Sequence, residues 1–257
     1  MGKKKIIKIF NKSFNNFSKK YKILEKDFTE KNIHDFRVAY RRLNSVYKVL
    51  QISGFDSNKK LKQRTKKIFY VLGEMRDYQV NLNLLENMYF SKEIPEEISE
   101  KITKSVEENR EKLIKKIKEN RKEIFRRLKK DQKKIQKYIK DKKKEDLISI
   151  LRKINDDLRG NVERAFFQLS EDIETYHKLR LEVKKYRYFL ETFGDILNND
   201  KEKYKRLKSI QDFLGEINDL DVLDRNLNSL NVAKDEELLK FLHARLQNKI
   251  NEFRIIF

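Results

Sequence analysis

Six side chains set at one repeated spacing are the first candidates for chemistry in this 257-residue chain. His34, Arg37 and Arg41 stand at i, i+3 and i+7, and His177, Arg180 and Lys184 repeat that spacing about 143 residues later. At about 100° and about 1.5 Å per residue, each trio projects from one side of an α-helix and covers about 10 Å. Arginine offers forked donors that fit phosphate oxygens, lysine offers compact charge, and a histidine beside an anion tends to take a second proton. Such a ladder suits successive groups of an extended anion. Lys48 prolongs the first ladder and Arg187 the second. Arg42 and Lys185 lie about 80° round the helix from the histidines, at the ladder's edge. Two of the chain's three histidines head these ladders; His243 has no twin and reads as a surface or boundary residue.

A second element repeats in the same order. Leu72-Gly73-Glu74-Met75-Arg76-Asp77-Tyr78-Gln79-Val80 returns as Leu214-Gly215-Glu216-Ile217-Asn218-Asp219-Leu220-Asp221-Val222, at an offset of 142. Arg64 and Lys66 match Arg206 and Lys208 at that offset and offer further contacts. Two matched elements at nearly one offset mark a duplication. The carboxylate pairs Glu74/Asp77 and Glu216/Asp219 have a sharp reading, a magnesium site or an acid/base pair. They also have a plainer one, in which Gly73 and Gly215 end a helix and Asp77 and Asp219 cap the next. An aspartate there could also orient a basic residue.

The elements that must carry these side chains are helical. Phe36, Ala39, Tyr40, Leu43, Val46, Tyr47 and Leu50 form one stripe at spacings of three and four, opposite the first ladder. Leu179, Val183, Tyr186, Phe189, Leu190 and Phe193 do the same opposite the second, with Tyr188 facing the ladder. Gly54 stops the first of these helices, and the next runs to about Gly73. Another begins near Asp77 and breaks between Ser91 and Pro95, with Pro95 opening a long fourth helix. A break around Lys142–Glu145, a restart ending near Gly160, and helices over about 171–193, 201–214, 219–229 and 234–255 complete the chain. No long stretch alternates with period two. The expectation is an all-α fold: a basic extension over 1–14, a first bundle over 15–142 and a second over 143–257.

Composition narrows the classes. Lys and Arg number 62 against 41 Asp and Glu, a formal charge of +21 that draws polyanions: nucleic acid, anionic lipid or polymeric phosphate. Residues 100–145 hold 20 Lys and Arg against 9 Asp and Glu, yet Glu107, Glu108 and Glu111 ahead of Lys112, Lys115 and Lys116 read as an exposed helix with i, i+4 pairs. The ligand is therefore not placed there. Without cysteine there is no disulfide framework or thiolate site, and one Pro with six Gly is too few for a many-stranded sandwich or barrel. No signal-peptide pattern, myristoylation context or span of 18 apolar residues occurs, so a cytoplasmic protein is expected.

His-x-x-Arg-x-x-x-Arg-Arg from His34, Leu-Gly-x-x-x-Asp-x-x-Val from Leu72, and a second His-x-x-Arg with its own Leu-Gly-x-x-x-Asp resemble the CHAD domain, the conserved histidine α-helical domain. The resemblance runs from about residue 15 to the end. It implies two pseudo-symmetric four-helix bundles with a basic channel between them that binds inorganic polyphosphate. It would place His34, Arg37, Arg41, His177, Arg180 and Lys184 along the channel, with Arg42 and Lys185 at its edge. It also implies a location at polyphosphate granules and a separate polyphosphate- or triphosphate-processing enzyme as partner. Lys184-Lys185 departs from the Arg-Arg of the first copy and should alter contact geometry without abolishing it.

Catalytic signatures are missing. His34-Asp35 looks like the His-Asp pair of metal-dependent phosphohydrolases, but the additional upstream histidine and paired ligands are absent. No Walker-type glycine loop occurs, nor the alternating Glu-x-Glu-x-Lys strand of the triphosphatase module often fused to CHAD domains. A non-catalytic binder without cofactor is expected. RNA or DNA backbone binding is the runner-up, although Tyr40, Tyr47 and Tyr186 fall on buried faces rather than where bases could stack.

Overall fold

Ile6, Phe10, Phe14, Phe17, Tyr21 and Leu24 recur at spacings of three and four, and they form the buried stripe of α1 (Lys3–Lys26) in a computed structural model. The structure describes residues 3–89, 96–198, 201–229 and 236–257. Within them lie eight helices and no strand: α1, α2 (Glu30–Ile52), α3 (Lys59–Tyr89), α4 (Glu96–Asp141), α5 (Lys144–Phe167), α6 (Ile173–Leu197), α7 (Lys201–Ser229) and α8 (Glu236–Ile256). Residues 3–14, expected as a basic extension, thus belong to a core helix. Fully burying one such aromatic stabilises a fold by about 1.5–3 kcal/mol.

Helix ends follow local chemistry. The Thr29 hydroxyl accepts from the Asn32 amide to open α2, and Asp172 accepts from Glu174 to open α6. Gly54, at φ +90°, turns the chain out of α2, where a side chain would be strained. Asn198 adopts the left-handed conformation after α6.

Two expected breaks do not occur. α3 runs through Gly73 and α7 through Gly215, so Asp77 and Asp219 are mid-helix residues and not caps. The physical reason lies in packing. The first part of α3 buries Leu61, Ile68, Leu72 and Met75 in the main core, and its later part turns Leu85 into a second cluster with Leu220, Leu223, Leu227 and Leu242. The apolar stripe changes face along each helix, and in sequence that change of face looks like an end. α5 likewise passes through Gly160 to Phe167, and α4 runs unbroken for 46 residues. Pro95 and residues 234–235 lie outside the described residues.

α1 packs on α2 and α4, and α3 on α2 and α4; in the other half α5 packs on α6, α6 on α7 and α7 on α8. Between halves α2 meets α6, α3 meets α7, α2 meets α5 and α1 meets α6. Exchanging α1–α4 with α5–α8 maps these contacts onto one another except that the α1–α4 contact has no α5–α8 counterpart among them. The main core is continuous across the junction: Phe10 of α1 and Phe193 of α6 stand 5.9 Å apart in an edge-on pair. That continuity holds the two ladder helices, α2 and α6, in fixed relation.

Candidate anion-binding cleft

The polar faces of α2 and α6 and the middle of α3 and α7 enclose a cleft of about 1300 Å³. His34, Arg37, Arg41, Arg42 and Lys48 line it from α2; His177, Arg180, Lys184, Lys185 and Arg187 line it from α6; Lys208 lines it from α7. Among the lining residues eleven Arg and Lys face six Asp and Glu, so the cleft favours an anion.

Three expected residues are placed elsewhere. Arg64 and Arg206 sit nine residues before Gly73 and Gly215, half a turn round the helix at about 100° each, and neither lines the cleft. Arg64 instead donates to Asn120 of α4 at 2.5 Å. Lys66 shares the face of Gly73 but lies over the Tyr70 ring at 5.2 Å, outside the lining. His243 is exposed and contacts Asp224 at 2.9 Å.

The geometry of each cation is set by its neighbours. Arg37 lies over the Phe69 ring at 4.9 Å and passes close to Gly73. A Cβ at Gly73 would stand 2.7 Å from Arg37 Nη1, so the absent side chain is what admits the guanidinium. That Nη1 is buried and makes no hydrogen bond among the described residues. Arg41 lies over Phe69 at 5.5 Å and donates to the Tyr188 hydroxyl at 3.1 Å. Arg180 donates to Asn218 at 2.9 Å and stands 3.9 Å from Asp219, and His177 Nδ1 meets the same Asn218 oxygen at 3.1 Å. Arg187, expected on the open polar side, is buried: it donates to Gln211 at 2.7 Å and to the Tyr204 hydroxyl at 3.0 Å. Arg42 pairs with Glu191 across the halves, and Lys185 pairs with Glu182.

The two ladders feel each other. Loss of solvent, then the neighbouring Arg41, pushes the Arg37 guanidinium down to about 10, with Arg180 of the other half adding to the shift. Lys184 is pushed down to about 6 by burial, then by Arg180 and Arg41. The same enclosure raises the carboxyls of Asp77 and Asp219, and each lies close enough to the cations for Arg37 or Arg180 to oppose that rise. Asp77 is raised further by Asp219 from the opposite half. The arrangement is a set of cations held in excess, partly desolvated and ready for a ligand that would neutralise them.

Sequence reasoning missed Arg76, Phe69, Tyr70, Asn218, Gln211 and Glu191, all of which line the cleft. The signal was present for most of them: the offset of 142 aligns Phe69-Tyr70 with Gln211-Asp212 and Arg76 with Asn218. The two copies match at His34/His177, Arg37/Arg180, Gly73/Gly215 and Asp77/Asp219, and differ at these flanking positions.

The eight helices among the described residues, with this cleft between the halves, define an all-α helical-bundle protein. The CHAD domain family model matches residues 8–228, and the chain belongs to that family, which is associated with polyphosphate binding in general. The fold is similar to the crystal structure of the CHAD domain from the plant Ricinus communis, at 20% identity and a TM-score of 0.71, covering 96% of this chain and 86% of that one. No curated protein matches the sequence. No helix among the described residues is long and apolar enough to cross a membrane.

Proposed function

We propose that this chain binds inorganic polyphosphate in the cleft between its halves and does not process it. The observation that carries this reading is the excess of partly desolvated Arg and Lys on two facing ladders, duplicated with their histidines. A linear polyanion without bases fills such a cleft through charge-assisted hydrogen bonds alone. His34 and His177 supply additional ring N–H donors to the ligand. A cytoplasmic location at polyphosphate granules, and a separate phosphate-processing enzyme as partner, go with this reading.

One observation favours a nucleic acid as the second reading. Tyr70 is 57% exposed and lines the cleft, so it can offer a stacking face to a base. Tyr188, facing the ladder as expected, is buried and serves Arg41.

The deciding experiment titrates the protein with long-chain polyphosphate, tripolyphosphate and an RNA of equal charge at two salt concentrations. Polyphosphate should bind more tightly than the RNA, and no phosphate should be released when Mg²⁺ is added. RNA binding of equal strength overturns the leading reading, and phosphate release makes the protein a hydrolase. Affinity falls with salt for every polyanion, so the comparison at matched salt carries the result.

A further inference from the structure

The duplicated cleft is electrostatically lopsided. Among the described residues the first half contributes Arg37, Arg41, Arg42, Lys48 and Arg76 with one lining carboxylate, Asp77. The second half contributes six cations but also five carboxylates, Asp157, Glu191, Asp212, Glu216 and Asp219. Twin positions show how this arose: Glu191 stands where the first copy has Lys48, and Asn218 where it has Arg76.

Cations of both halves are paired, Arg42 with Glu191 and Arg76 with Glu30 in the first, and the difference lies between the twins Arg37 and Arg180. Arg180 is held by Asn218 and Asp219, and Arg187 by Gln211 and Tyr204. Of the second half's lining cations, only Lys184 and Lys208 make no hydrogen bond or ion pair among the described residues, and the Lys184 amine is pushed down by burial, then by Arg180 and Arg41. Arg180 and Arg37 each keep one buried nitrogen without a hydrogen-bond partner, Nε and Nη1 respectively, but Arg37 makes no hydrogen bond or ion pair at all among the described residues. Its planar group is fixed between the Phe69 ring and the Gly73 notch, so it is oriented without being neutralised. A guanidinium that is desolvated, oriented and unsatisfied gains most from a phosphate oxygen, because the cost of removing its water has already been met in the free protein.

We propose that the phosphate chain is anchored on the first-half wall by Arg37, with Gly73 as the positioning residue that seats it. The second-half wall is a guide whose arginines are already committed to Asn218, Asp219 and Gln211. This inference rests on the polyphosphate reading above. It predicts that twin substitutions, at positions the duplication makes equivalent, have unequal effects.

The test measures long-chain polyphosphate affinity, and its dependence on salt, for the wild type and for Arg37→Gln, Arg180→Gln, Gly73→Ala and Gly215→Ala. Thermal unfolding of each variant confirms that it is folded. Losing one charge-assisted contact corresponds to about tenfold in affinity, so Arg37→Gln and Gly73→Ala should each weaken binding by about that factor. Arg37→Gln should also lower the salt slope by about one phosphate contact. Arg180→Gln should cost less than about threefold, which is under 0.7 kcal/mol by the same conversion. Gly215→Ala should bind as the wild type does, since a Cβ there meets nothing within 4 Å. Equal losses for Arg37→Gln and Arg180→Gln, or like behaviour of the two glycine variants, overturn the asymmetry and leave polyphosphate binding standing. A wild type that fails to bind polyphosphate removes both.

Discussion

The Arg41 guanidinium donates to the Tyr188 hydroxyl at 3.1 Å and lies over the same ring at 5.6 Å, so a ladder residue of one half is positioned by an aromatic of the other. Arg187 covers that ring as well, at 4.4 Å. Tyr188 is therefore a hinge pin between the halves rather than a stacking platform for ligand. Tyr188→Phe should cost about 1.5–3 kcal/mol, the value of one hydrogen bond to a charged group. Tyr188→Ala should cost about 3–5 kcal/mol, as deletion of a buried aromatic does. Urea unfolding checks both; equal costs would mean that the ring contributes nothing.

Lys184 makes binding depend on pH. Its folded-state amine titrates at about 6, below its ordinary value of 10.5. Between those values the unfolded chain holds a proton that the ligand-free folded chain lacks, so the free protein gains stability as pH rises through that window. A phosphate chain reverses the balance by favouring the ammonium. Binding near pH 7 should take up a proton, and affinity should tighten as pH falls from about 8 towards about 6. Calorimetry in buffers of different ionisation enthalpy reads the proton directly. Lys184→Gln should reduce the uptake. An unchanged uptake in that variant would show that Lys184 is not the group that takes the proton.

A buried carboxyl in the first half gives a second pH effect, on stability alone. Asp131 is 3% exposed, accepts from the Tyr47 hydroxyl at 3.0 Å, and is pushed up by burial. A raised folded value means that its stabilising contribution is present below about pH 4 and is lost as pH rises through that folded value. Asp131→Asn keeps an acceptor for Tyr47 and removes the charge. Relative to the wild type, the variant should gain stability between pH 4 and pH 7. A difference that stays constant over this range would show that Asp131 does not titrate there.

The two mid-helix glycines should separate in stability as well as in binding. Alanine is favoured over glycine in a helix by about 1 kcal/mol, and at Gly215 a Cβ meets nothing, so Gly215→Ala should raise the midpoint of thermal unfolding. At Gly73 the same gain is offset by displacement of Arg37, whose Nη1 would lie 2.7 Å from the new atom. Gly73→Ala should therefore gain less. Matched gains would mean that Arg37 swings aside without penalty.

The helical class, the duplication and the ladder residues on α2 and α6 were legible in the sequence because each depends on periodicity within a single helix. Five of the first ladder's residues and five of the second's line the cleft, as spacing alone required once one face of each helix was buried. Tertiary structure decided the rest. Gly73 and Gly215 read as helix ends because the apolar stripe changes partners there, yet the continuous α3 and α7 pack on each other beyond them and keep their helices intact. Arg64 and Arg206 matched at the right offset but stand half a turn from the cleft. Arg187 shares the ladder's face but is buried, satisfied by Gln211 and Tyr204 of α7. What a cation can do for a ligand depends on which groups from other helices already hold it. Periodicity along one chain segment specifies a face, and only packing between segments decides whether the charge on that face is spent or free.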